Sequence, residues 1–136
     1  DNAEMNCLYV VERTLTNTGA KADNRLALRA GDIEAFAYAL AGATGSLPGA
    51  PPDGLPAGAA SWAQAVAKDL SARPRGTTLV VAGERQPAAV HLLAHLINDH
   101  LGNVGNTVIH TAPLASRPVD QAASLLELDD DLDTER

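Results

Sequence analysis

The chain has 136 residues, 46% of them apolar and 20% charged, which suits one globular domain and argues against disorder throughout. Its net charge of −7 and aromatic content of 3% exclude an electrostatic grip on phosphate backbones and leave few rings to stack on bases, so nucleic acid is not an expected partner. A single cysteine, Cys7, excludes an internal disulfide, a structural zinc ribbon and an iron–sulfur cluster held by this chain alone.

In chain order, residues 8–11 (LYVV) form a short β-prone run that suits a strand buried on both faces, as in a parallel sheet. A loop follows, then a short extended stretch around Ala22 and Asp23. Gly31 supplies a sharp turn and Asp32 is a good N-cap for a helix whose Ile33, Phe36, Ala37 and Leu40 fall on one apolar stripe. The stretch at about 43–58, within GATGSLPGAPPDGLPAG, repeats Gly and Pro and reads as a surface insertion.

A second helix over about 60–72 carries Trp62, Ala65, Val66 and Leu70 and ends before Pro74 and Gly76. Residues 77–82 (TTLVVA) are expected to form a second buried strand, with Gly83 at its carboxyl end. Pro87 opens a third helix, Val90, Leu93, Ile97 and Leu101 give it an apolar side, and Gly102 closes it. Residues 107–110 are expected as a third strand, and a last helix starts near Val119 or Asp120 with Leu125, Leu128 and Leu132 on one side.

Strands alternating with helices predict an α/β fold: a three-layer, Rossmann-like single domain over 1–136, with a mainly parallel sheet and helices on both faces. The acidic end LLELDDDLDTER has no strand after it, and the chain is expected to be a domain of a larger protein. No apolar run reaches the ~20 residues a membrane helix needs, so direct insertion is not expected.

Several features bear on chemistry. Ligands in open α/β sheets sit beyond the carboxyl ends of strands, which directs attention to residues 12–18 and 83–86. There is no G-x-G-x-x-G after either expected strand, and GNVGNT lacks the lysine of a phosphate loop. His91 and His95 have a spacing able to bind a metal, but helical projection puts them opposite Leu93 and Ile97, beside Asn98 and away from the core, with no third ligand nearby. His100 and His110 read as structural. The cluster of Asp129, Asp130, Asp131, Asp133 and Glu135 lacks calcium-loop spacing and reads as a solvated helix end. No metal site and no nucleophile is named.

The order of Glu12, Thr16, Thr18, Ala22, Asp23, Gly31 and Asp32 resembles the molybdopterin oxidoreductases, in which a strand ending in an acidic residue is followed by a Thr-x-Thr loop, Ala-Asp and a Gly-Asp helix start. The second half extends the likeness through Gly83 and the Leu101, Gly102, Asn103, Val104, Gly105 turn, so that it spans most of residues 8–110. The wording AEMNCLYVVE, TNTGAKADNRLAL and GDIEAFAYAL is most similar to the large iron–sulfur subunit of alternative complex III, a membrane-bound quinol-oxidising complex of certain bacteria.

The resemblance implies that Glu12, Thr16, Thr18 and Gly83 would be the cofactor-binding positions if a molybdopterin guanine dinucleotide is held. The family's Asp-Pro-Arg is Glu12-Arg13-Thr14 here, and a Thr cannot replace the two-pronged grip of Arg on phosphate. The resemblance therefore implies a cofactor-free domain, with iron–sulfur clusters elsewhere in the parent protein. Its partners would be other domains of the same polypeptide and subunits of a respiratory complex, on the periplasmic face of a bacterial inner membrane. The alternatives are part of an active molybdopterin oxidoreductase and an independent nucleotide-binding module.

Overall fold

The computed structural model describes residues 6–49, 54–112 and 120–134. The fold is mixed helix and strand, built around a two-stranded parallel sheet. Strand β1 (Tyr9–Glu12) pairs with β2 (Asn24–Ala27) in the register Tyr9↔Asn24 to Glu12↔Ala27. Asp23 starts this ladder by accepting the Leu8 N–H at 2.8 Å, which explains the placing of an acidic residue before β2. Between the strands lies α1 (Asn17–Ala20), a single turn whose N-cap, Thr16, accepts the Gly19 N–H at 3.1 Å.

β1 is less enclosed than its apolar run suggests: Tyr9, Val10 and Val11 are half-buried and only Glu12 is buried. Helices meet one face of the sheet, through Tyr9, Val11 and Leu26, while Val10 alternates to the other face. A 3-10 turn (Ala30–Asp32) leads into α2 (Ile33–Ala43). This turn corrects the expectation for Asp32, which occupies the cap position with helical dihedrals and makes no side-chain cap bond; capping needs an extended backbone there. Gly31 is also less constrained than expected, because its φ is not positive and a Cβ would meet nothing.

α2 is the central helix. It buries Ile33, Phe36, Ala39, Leu40 and Ala41 and packs on α3 (Ala59–Ala72) and α4 (Ala88–His100). The buried face of α3 is Ala59, Ala63, Val66 and Ala67, whereas Ala65 is exposed on the far side of that stripe. Trp62 lies between Tyr9, edge-on at 5.7 Å, and Phe36, tilted at 5.6 Å, so three of the chain's four aromatic residues join β1, α2 and α3. The Gly/Pro-rich insertion is partly structural: Leu47 and Leu55 pack on the core and buried Thr44 donates to Ala41 O. Residues 50–53 lie outside the described residues.

The expected strands at 77–82 and 107–110 are not strands in the structure; their sole ladder-type contact is a bridge between Val104 and Val108. Exposure nevertheless alternates along residues 77–82 with the period of two that a strand would show. The physical reason is a substitute partner. Asn98, buried on α4, donates from Nδ2 to Val80 O at 2.7 Å and accepts the Val80 N–H at Oδ1 at 3.0 Å, so a side-chain amide occupies the ladder groups. Thr107 Oγ1 donates to Thr78 O on the same segment.

Gly102 closes α4 as expected, with φ +72° and the Asn103 N–H reaching back to Asn98 O at 2.8 Å. The last helix, α5 (Gln121–Thr134), is capped by Asp120, whose Oδ1 accepts from Ala122 and Ala123. None of its residues is buried, and Leu125, Leu126, Leu128 and Leu132 are exposed. Val119 and Glu135 lie outside the described residues.

Candidate functional site

The carboxyl end of β1 gathers the polar groups nominated by the sequence. Glu12 is 9% exposed, and its carboxylate accepts from Thr16 Oγ1 at 2.7 Å, from the Thr16 N–H at 3.3 Å and from Arg25 Nε at 2.6 Å. Thr16 acts twice, donating to Glu12 and accepting from Gly19. Gly19 is buried against the carboxylate, and a Cβ there would collide with Glu12 Oε1. The Arg25 guanidinium, followed by the Thr16 hydroxyl, holds the Glu12 carboxyl below its ordinary pKa of 4.5, so it is anionic near neutral pH.

Arg25 was absent from the sequence-based site. Its signal lies in the pairing: Arg25 stands opposite Val10, which puts it on the same sheet face as Glu12 and diagonal to it. Only after the parallel register is known does the NRLA segment reveal a cation for the strand-end carboxylate.

Glu12 and Thr16 are thus brought together, whereas Thr18 and Gly83 are outside their network. Thr18 is exposed on α1. Gly83 belongs to the turn before α4, accepts the Gln86 N–H at 3.0 Å and has no positive φ. A carboxylate has about four lone-pair sites, and donors from this chain already converge on most of those of Glu12. Among the described residues no buried side-chain polar atom lacks a partner, so none is left waiting for a ligand. Thr14 itself offers only a hydroxyl, without the two-pronged grip of a guanidinium on phosphate.

A second polar group joins β1 to α3. Tyr9 Oη donates to Asp69 Oδ2 at 3.2 Å, and Asn24 Nδ2 donates to Cys7 Sγ at 3.4 Å. Cys7, then burial, then Asp69 push the Tyr9 phenol up to about 12, so it serves as a neutral donor. Cys7 itself is exposed.

On α4 the helical projection needs one correction. His95 is exposed and His91 half-buried, but Asn98, expected beside them facing away from the core, is 3% exposed and holds the 77–82 segment. Among the described residues no three His, Cys, Asp or Glu side chains form a group that could hold a metal. No helix among them is long and apolar enough to cross a membrane. No protein-family model matches this chain, and no curated protein matches it either.

Proposed function

We propose that this chain is a cofactor-free structural domain of a molybdopterin-oxidoreductase-like iron–sulfur subunit, working in a quinol-oxidising respiratory electron-transfer complex. The observation that carries the reading is the internal use of Glu12, whose carboxylate is held by Arg25 and Thr16 where a nucleotide edge would otherwise bind. The ion pair fixes the loop after β1 and ties it to β2. It is a brace, and no reaction passes through it.

The second support is the surface left uncovered. Leu79, Val81 and Ile109 are 52%, 76% and 74% exposed on segments whose exposure or composition is strand-like. In a three-layer Rossmann-like domain these side chains would meet a further layer, and in this reading other domains of the same polypeptide supply it. With one cysteine here, clusters belong to those domains. The complex sits at the periplasmic face of a bacterial inner membrane, with this domain outside the bilayer.

Metal and pterin analysis of the intact parent protein purified from its native membrane tests the proposal. Iron and acid-labile sulfide without molybdenum or pterin is the expected result. Molybdenum and pterin in stoichiometric amounts would show that the domain belongs to an active molybdopterin enzyme.

A further inference from the structure

His95 projects from α4, and His110 follows the irregular segment that crosses back after the Leu101–Gly105 turn. Their ring centres are 5.6 Å apart and the planes are tilted by 41°. That tilt rules out flat stacking. Two imidazole nitrogens about 2.0–2.1 Å from one tetrahedral ion would hold their ring centres roughly 5–6 Å apart, so the spacing matches two ligands on a shared metal. Both rings are exposed, and His95 also borders an open groove with His91, Val80, Asn98 and Val108.

We infer that His95 and His110 form a two-imidazole site for a divalent first-row metal ion, with water in the remaining positions. The described residues offer no three-ligand group, which makes this an open, exchangeable site and not a closed structural one. Imidazole suits zinc, copper and nickel, whereas magnesium and calcium prefer oxygen. The consequence of binding is mechanical. Residues 107–110 lack a ladder, being joined to the rest by the Val104–Val108 bridge and the Thr107–Thr78 bond, and an ion between His95 and His110 would fasten this segment to α4. The inference is independent of the proposed respiratory role.

Zinc chloride titrated into the full chain near neutral pH, followed by calorimetry, tests the site. The wild type is expected to bind one ion saturably; His95→Ala and His110→Ala should each weaken binding by about tenfold or more, and His91→Ala by less than about threefold. Zinc should also slow amide exchange at residues 108–111 in the wild type but not in His110→Ala. Because both rings are exposed, the variants should keep the wild-type melting temperature, which confirms folding. Binding that His110→Ala leaves intact would place the ion on His91 and His95 of the helix and overturn the inference. Binding insensitive to both substitutions, or none up to millimolar zinc, would overturn it equally.

Discussion

The carboxyl end of β1 and the 77–82 segment meet the same requirement, satisfied backbone and side-chain polarity at a strand end, in opposite ways. At β1 the polar groups close inward: Glu12, Thr16, Arg25 and Gly19 leave no space between carboxylate and loop. At 77–82 one side chain, Asn98, holds Val80 from within, while Leu79 and Val81 face outward. The first region turns its polar groups on one another, and the second turns apolar side chains outward. The difference teaches that sequence position beyond a strand does not make a binding site; the free valence of the groups there does.

The comparison breaks most severely at Asn98. Asn98→Ala leaves Val80 N–H, Val80 C=O and Asn103 Nδ2 without their partner, and should cost about 2–3 kcal/mol in urea unfolding, with faster exchange of the Val80 amide. Loss under about 0.5 kcal/mol would mean the clamp holds nothing. At the closed region, Gly19→Ala forces a methyl into the Glu12 carboxylate and should cost about 1–3 kcal/mol by the same assay. A variant as stable as wild type would show slack around Glu12.

The Glu12 brace also makes stability depend on pH. Because its folded pKa is depressed, its contribution is fully present above the ordinary value of 4.5 and is lost as pH falls below that toward the folded value. Glu12→Gln should flatten the decline of melting temperature through that acidic window; an unchanged pH profile would contradict the assignment. The smallest effect belongs to the open face. Leu79→Lys and Val81→Lys should each alter stability of this chain by no more than about 0.5 kcal/mol, and larger losses would show that the face is covered.

Much of the helical framework was legible. Ile33, Phe36 and Leu40, or Val90, Leu93 and Ile97, recur at helical spacing, and each set is buried as that spacing requires. The first strand could be read because a β-prone run stands there, and the last helix because Asp120 precedes its leucines, whereas the stretch expected around Ala22 and Asp23 is extended at Asn24–Ala27, whose NRLA carries no β-prone run. What failed has a common cause. TTLVVA and TVIH carry strand propensity, but a strand needs a paired neighbour, and pairing is not local information. Asn98 and Arg25 escaped for the same reason: each acquires its meaning from a partner 18 or 13 residues away that only the fold brings near. Ala65 was misplaced because an alanine-rich helix leaves the direction of its stripe poorly marked, and Ala59, Ala63 and Ala67 define the buried face.

Of the site, the sequence made the positions legible but not the bonding: Glu12 and Thr16 bond to each other and Glu12 to Arg25, with Thr18 and Gly83 outside the network. The resemblance supplied the positions, and the geometry supplies the reason to read them as a brace.

The most direct test is a titration of this chain with guanosine monophosphate up to millimolar concentration, followed by thermal unfolding. A sealed Glu12 predicts an unchanged melting temperature. A saturable rise, which at about 100 times the dissociation constant would amount to about 2.7 kcal/mol, abolished by Glu12→Gln, would contradict it.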